Sequence, residues 1–506
     1  MPAKTLMVQG TGSSVGKSVL VTALCRIFRQ LGFRVAPFKA QNMSLNSYVT
    51  ADGHEIGRAQ AVQAEAAGIA PAVEMNPVLL KPEADNCSQV IIRGKPVTKT
   101  SAAEFPKLKP VLWSAITESL DCLRSRFDLI VIEGAGSPAE INLKDRDLVN
   151  MKVALYCNSP VLLAADIDRG GIFASLVGTM DLLEPEERAL VEGFVINKFR
   201  GDISLLRAGL DWLEKRTGVP VAGVIPYYHD IDIAEEDSMT LEKRRAMKFR
   251  SDFDLDIAVI AFPHISNFDE FDPLEREPRV RLRYVEERDD LGEPDLIILP
   301  GTKSTVADLN FLRATARDGQ IIRQVSRGIP IIGICGGYQM LGETIHDPEE
   351  IESTAPITPA LALLSVTSRF SPVKSTHQIK ARTTIARGIL AKANGAPLSG
   401  YEIHMGQTES PNGTRPFSIE QRSGESCSDR DGCISEDGHI LGTYIHGLFH
   451  NDMWRRAILC ELAERKGKTL PAMTSPFSAD EEYDRLAAHV RASLNMDLIL
   501  RLVSHG

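Results

Sequence analysis

A chain of 506 residues with a formal net charge of −10 is too long for a single hydrophobic core and divides into at least two domains. Its apolar and charged fractions are those of ordinary globular protein. No apolar run reaches membrane-spanning length, and the acidic balance argues against a nucleic-acid-binding surface. The eight cysteines are scattered with no C-x-x-C pair, and the first ten residues read as a strand rather than a signal peptide, so the reducing cytoplasm is the expected compartment.

Residues 5–9 form the first predicted strand. Gly10-Thr11-Gly12-Ser13-Ser14-Val15-Gly16-Lys17-Ser18 follows, then a helical pattern through Val19, Leu20, Leu24 and Ile27 that Gly32 ends. Strand, glycine-rich loop, Gly-Lys-Ser and helix together make a phosphate-binding P-loop. Backbone N–H groups around Gly10, Thr11 and Gly16 wrap the phosphate oxygens of a nucleotide. Lys17 reaches the β- and γ-phosphates, and the Ser18 hydroxyl ligates Mg²⁺. The strict motif has glycine where this chain has Thr11.

A second strand, 33–38, delivers Lys39 to the same sheet edge. The polar stretch 41–47, with Asn42 and Ser44, lines a ligand crevice at the strand ends. A helix over 56–67 carries Gln60 and Gln63, and 90–94 reads as a small hairpin arm. The apolar run 127–132 ends in Glu133, a Walker B arrangement that puts a second Mg²⁺ contact near Ser18. Further strands are expected at 161–165, at 194–196 and at 219–225. Asn197 and Lys198, after the second of these, suit recognition of the nucleotide base. Alternating strands and helices imply a mostly parallel sheet covered on both faces. A strongly charged stretch from His229 to Phe253 marks a boundary, giving a P-loop nucleotide-binding domain over 1–235.

The second domain, 253–450, restarts with strands at 255–262 and 295–299, the latter ending at Pro300-Gly301-Thr302-Lys303-Ser304. A helix over 306–325 leads to an apolar strand and then to Gly333-Ile334-Cys335-Gly336-Gly337-Tyr338-Gln339. A cysteine on a glycine-flanked turn between strand and helix is the thiol form of the nucleophile elbow, and the helix dipole behind it favours the thiolate. Later strands are expected at 361–367, 378–385, 401–405 and 439–445. The last delivers His446, the candidate base. Backbone N–H groups at Gly336 and Gly301-Thr302 form the expected oxyanion hole. Loops near 349–359 and 410–437 read as polar and mobile. A helical extension over 451–506 holds a helix through Trp454 and Leu462 and one amphipathic helix over 479–503.

The elbow resembles the nucleophile motif of class I glutamine amidotransferases, and the P-loop half resembles dethiobiotin-synthetase-type ATPases. The combination of 9–18, 38–44, 55–60, 76–82, 166–171, 197–202, 299–305, 400–406 and 442–449 resembles the cobyric acid synthase family. The resemblance implies an α/β fold with an N-terminal P-loop parallel-sheet domain and a C-terminal class I amidotransferase domain. It also implies an enzyme of cobalamin biosynthesis that uses ATP, Mg²⁺ and glutamine to amidate carboxylates b, d, e and g of adenosylcobyrinic acid a,c-diamide. The substrates would be the corrinoid, glutamine and ATP, with no nucleic-acid or membrane partner. Cys335 would be the nucleophile, His446 its partner, and Gln339 a glutamine-binding residue of the motif. Lys39, Asn42 and Ser44 would handle the acid substrate. The wider amidotransferase class reads His-x-Glu, whereas Leu448 stands at the third position here, so the group that orients His446 is not given by the motif.

Three other readings share parts of this pattern. A cobyrinic acid a,c-diamide synthase differs in the corrinoid consumed and the number of amides formed. A CTP-synthase-like enzyme carries the His-x-Glu pair missing here. A P-loop partitioning ATPase carries a signature lysine five positions before the P-loop lysine, where this chain has Gly12.

Overall fold

Continuous apolar strands such as Leu6-Met7-Val8 are buried on both sides, which only a parallel sheet with helices on each face provides. In this computed structural model, which describes residues 2–84, 87–101, 103–228, 252–472 and 477–505, two such sheets form the cores of two units. One unit holds the described residues of 1–44, 55–234 and 477–506, and the other those of 45–54 and 235–476. The boundary expected between His229 and Phe253 lies almost wholly outside the described residues.

The first unit is built on six parallel strands. Their spatial order is Val221–Pro226, Val191–Phe199, Val161–Asp166, Lys4–Gly10, Leu129–Glu133 and Val35–Phe38. The first strand of the chain is central, with later strands added on both sides of it. That is the topological switch point of an open α/β sheet, and the P-loop leaves its carboxyl end. A second sheet of four short strands includes Gln41–Met43 and the hairpin Cys87–Ile92/Lys95–Ser101. Arg93 and Gly94, both at positive φ, supply the tight turn of that hairpin arm.

The second unit also carries six strands, in the order Val280–Val285, Leu255–Ile260, Leu296–Leu299, Ile331–Ile334, Ile440–Thr443 and Cys433–Ile434. All pairings are parallel except that of the last edge strand. A separate sheet centres on the long antiparallel pair Thr367–Thr383 and Pro397–Glu409.

Several expected elements differ in detail. The helix expected over 306–325 is two helices, Thr305–Ala314 and Arg317–Ser326, because Ala316 adopts a left-handed conformation (φ 50) that ends the first. No strand forms over 361–366, where backbone N–H groups of Leu361, Leu363 and Leu364 bond back to Met340 and Leu341 at the end of the elbow helix. The polar stretch 410–437, expected as a mobile loop, contains the hairpin Phe417–Arg422/Glu425–Asp431, with Phe417 and Ile419 buried. The amphipathic helix expected over 479–503 breaks at Leu494-Asn495 into Ala479–Ser493 and Met496–His505.

The expected C-terminal extension over 451–506 is not one body. Helix Asp452–Arg465 packs into the second unit through Trp454, Ile458, Leu459 and Leu462. Leu486, Val490, Ile499 and Val503 join the first unit's core instead. There Arg26, on the helix Lys17–Gln30, pairs with Asp480 at 2.8 Å and Asp484 at 2.7 Å. Among the described residues no helix is long and apolar enough to cross a membrane.

Candidate functional sites

The first unit assembles the P-loop against Glu133. Gly16 sits at φ +98, and a Cβ there would lie 2.3 Å from Asn197 Nδ2, so glycine is required twice over. Thr11 is absent from the residues at positive φ, so the threonine is accommodated where the strict motif has glycine. Lys17 Nζ donates to the carbonyls of Gly12 (2.8 Å) and Gly136 (3.1 Å), spanning the mouth of the loop. A Cβ on Gly10 would meet Lys17 Nζ at 3.1 Å and Val15 Cγ2 at 2.6 Å.

Ser18 Oγ donates to Glu133 Oε1 at 2.8 Å. The same carboxylate pairs with Lys39 Nζ at 2.9 Å and accepts from Gln63 Nε2 at 2.5 Å. Burial opposes a charged Glu133, but the Lys39 ammonium and the hydrogen bonds from Gln63, Lys39 and Ser18 outweigh it and hold the pKa below the usual carboxylate range. A hydroxyl and an ionised carboxylate side by side are the hard oxygen donors Mg²⁺ takes, with most of its shell left to phosphates and water, so the donor set fits that ion.

Asn197 and Lys198, expected at the nucleotide base, are committed to the loop itself. Asn197 Nδ2 donates to Val15 O at 2.8 Å, and Lys198 Nζ bonds Ser14 O at 2.6 Å and Asp166 Oδ2 at 2.8 Å. Asn42 Nδ2 donates to Gln60 Oε1 at 3.1 Å, and Ser44 N to Leu80 O at 3.1 Å, so both belong to the second sheet and its neighbouring helix Arg58–Ala67.

In the second unit three adjacent strands end in three parts of one site. Leu296–Leu299 leads to Gly301-Thr302, Ile331–Ile334 to Cys335, and Ile440–Thr443 to His446. Cys335 has φ 52 and ψ −108, an unusual backbone for a residue with a Cβ, and the turn is held by Cys335 N donating to Thr443 O at 2.8 Å. Glycines permit the sharpness. A Cβ on Gly337 would lie 2.0 Å from Leu299 O, and one on Gly333 2.6 Å from Gly337 O. A Cβ on Gly336 would lie 3.4 Å from Thr302 N, so these two backbone segments converge as an oxyanion hole requires. A Cβ on Gly301 would meet His446 Cε1 at 2.8 Å, which puts the imidazole against the same loop. Gln339 bridges the site rather than pointing freely into it. Its Oε1 accepts from Thr305 Oγ1 at 3.0 Å and its Nε2 donates to Tyr444 Oη at 3.1 Å.

The group that orients His446 is Glu270, which no motif of the sequence marks. His446 Nδ1 lies 3.1 Å from Glu270 Oε1, Gly447 N donates to Glu270 Oε2 at 3.2 Å, and both side chains are 1% exposed. Tyr401 stacks on the imidazole at 5.1 Å, nearly parallel. Burial works against an imidazolium, but the Glu270 charge and the Cys335 sulfur prevail and raise the ring's pKa to about 10. With Nδ1 committed to Glu270, buried Nε2 has no oxygen or nitrogen partner and is the nitrogen left for the sulfur. The available signal for Glu270 was a run of acidic and aromatic residues, 268–272, following the unit's first strand.

A cysteine elbow, an imidazole and a carboxylate at neighbouring strand ends define a glutamine-amidotransferase-type site, carried here in the same chain as a P-loop nucleotide-binding sheet. Family models agree with both halves: residues 256–454 match the CobB/CobQ-like glutamine amidotransferase domain, and residues 6–241 match the CobQ/CobB/MinD/ParA nucleotide binding domain. The chain is 53% identical to a cobyric acid synthase from Sorangium cellulosum, over 99% of each protein. It is 49% identical to one from Dehalococcoides mccartyi, over 100% of this chain and 99% of that one, and 50% identical to one from Desulforamulus reducens, with the same coverage. The chain belongs to the cobyric acid synthase family.

Proposed function

We propose that this chain uses ATP, Mg²⁺ and glutamine to amidate carboxylates b, d, e and g of adenosylcobyrinic acid a,c-diamide, giving adenosylcobyric acid in the cytoplasm. The observation that carries the reading is the joint presence of the Cys335–His446–Glu270 constellation and the Lys17–Ser18–Glu133 cluster in a chain that matches cobyric acid synthases over its whole length.

Glutamine hydrolysis begins with the Cys335 sulfur attacking the side-chain amide carbon. Gly336 and Thr302 N–H groups take the developing oxyanion, and His446 Nε2 gives its proton to the departing ammonia. Glu270 keeps the imidazolium oriented and charged through that step. Water then clears the glutamyl thioester, with His446 as base.

A carboxylate cannot expel oxide, so it is activated by attack on the γ-phosphate of ATP. Lys17 and the P-loop N–H groups stabilise the charge on the transferring phosphoryl group. Ser18 and Glu133 would hold Mg²⁺, which supplies further neutralisation of phosphate charge when bound. Lys39, Asn42 and Ser44 are assigned to the acid substrate, Lys39 after leaving its pair with Glu133. Ammonia then displaces phosphate from the acyl phosphate to give the amide.

Mass spectrometry of the purified enzyme with ATP, glutamine and the corrinoid diamide tests this directly. Four successive exchanges of hydroxyl for amine are expected. Cys335→Ala should form the same product from ammonium salt but not from glutamine. A corrinoid that stays unchanged with both nitrogen donors in the wild-type enzyme would refute the assignment.

A further inference from the structure

Ten residues that precede most of the first unit in sequence, Leu45–His54, fold as part of the second unit. They form a strap. Thr50 N donates to His54 O at 2.7 Å and Gly53 N to Thr50 O at 2.9 Å, closing its turn, while Ser47, Val49 and Thr50 are buried.

Several contacts hold the strap to the unit, three of them with named partners. The Gln378 side-chain amide, on the strand Thr367–Thr383, donates to Val49 O. Gly53, at φ +80, lies so near that strand that a Cβ would be 2.9 Å from Thr376 O. Ser47 N donates to Asn267 Oδ1 at 3.0 Å.

The third contact leads to the reacting groups. Asn267 is left-handed (φ 55) at the head of the turn Phe268–Phe271, and its carbonyl accepts the Glu270 N–H at 3.2 Å. One residue therefore has its side chain fixed by the strap and its backbone fixing the carboxylate that faces His446.

We propose that Asn267 is a positioning residue for glutamine hydrolysis, clamped by the strap Leu45–His54 through the Ser47 N–H, and that this clamp sets the alignment of Glu270 on His446. The proposal rests on the reading of Cys335 and His446 as a glutaminase centre. Without the Asn267 acceptor, the turn loses this side-chain tie to Ser47, and a misaligned Glu270 no longer favours the imidazolium. The titratable groups around that ring are Glu270, Cys335, Tyr401 stacked on its face, and His404, whose own pKa His446 helps to lower.

The test uses the full-length enzyme with two substitutions. Asn267→Gly keeps the left-handed backbone accessible and deletes the acceptor, whereas Asn267→Asp keeps an acceptor oxygen. For Asn267→Gly, glutaminase kcat should fall roughly tenfold with KM for glutamine changed less than about twofold, because the lost interaction acts on the reacting groups rather than on substrate binding. The alkaline limb of its kcat–pH profile should move to lower pH. Amidation from ammonium salt should be unchanged, and Asn267→Asp should restore kcat to within about twofold.

In a Glu270→Gln background Asn267→Gly should add nothing, since the effect passes through that carboxylate. Wild-type kcat and pH profile in Asn267→Gly, or an additive loss in the double variant, would overturn the clamp. A wild-type enzyme without Cys335-dependent glutaminase would remove the reading beneath it, a result separable from the other two.

Discussion

Replacing Glu270 by glutamine isolates what the buried carboxylate contributes, because the amide keeps the shape and deletes the charge. The pair is 3.1 Å apart and almost fully buried. At an effective dielectric constant of about 20, a unit charge pair at that distance is worth roughly 5 kcal/mol, close to four pKa units on the imidazole. Burial pulls the other way, and the balance leaves His446 raised to about 10. Without the charge, burial prevails, so the ring is neutral at pH 7 and no longer holds the proton that the leaving ammonia needs. The amide also offers an N–H donor to Nδ1 where the carboxylate could only accept, which favours the wrong tautomer. A loss of about 10²- to 10⁴-fold in glutaminase kcat/KM is expected, comparable to removing the orienting carboxylate of a hydrolase triad. Glutamate release from glutamine measures it, and amidation from ammonium salt controls for folding. Glutaminase within about threefold of wild type, in a variant that still amidates from ammonium, would refute the assignment of Glu270.

The same pair makes a stability prediction: because the folded pKa of His446 is raised, its contribution is fully present below the unfolded value near 6.5 and is lost as pH rises through about 10, so Glu270→Gln should flatten the alkaline part of a denaturation-midpoint series. Glu352, pushed up to about 7 chiefly by desolvation, acts in the same direction over a lower range: stability falls as pH rises from about 4.5 to 7, and Glu352→Gln should remove that slope in the same measurement. Lys17→Ala should abolish amidation from both glutamine and ammonium while leaving basal glutaminase measurable, since its Nζ lies at the P-loop mouth; product formation from ammonium would count against its phosphate role. Gly337→Ala places a Cβ 2.0 Å from Leu299 O, a backbone collision that side-chain movement cannot relieve, and should cost more than about 4 kcal/mol by chemical denaturation or prevent folding outright.

How much of this was legible in the sequence follows from where the information is local. The P-loop, the Glu133 strand and the cysteine elbow each sit within about ten residues and combine a buried strand with glycines whose backbone or close approach is demanding, as Gly16 and Gly337 show. Such features are written in consecutive residues. Strand ends were likewise visible because parallel strands read as unbroken apolar runs. The break in the helix expected over 306–325 is not legible because it rests on the backbone of Ala316, a residue whose side chain favours helix. The hairpin within 410–437 is hidden in the sequence because its outward faces are charged and its buried apolar contacts, Phe417 and Ile419, are few.

Glu270 was illegible for a different reason, and that reason bears on how the site is built. Where a triad takes its carboxylate two residues after the histidine, local backbone geometry alone sets the pair. Here that position is Leu448, fully buried in the apolar core, and the carboxylate arrives from 176 residues earlier. Its placement then depends on everything that fixes the turn Phe268–Phe271: Asn267 at its head, the packing of Phe271 against Phe449, and the Gly447 N–H that engages the second oxygen. Phe449 and Gly447 flank Leu448. The segment after His446 therefore takes part in positioning the carboxylate without supplying it. A glutaminase whose orienting group is held by tertiary contacts is open to adjustment through them, as one whose acid sits two residues away on the same backbone is not.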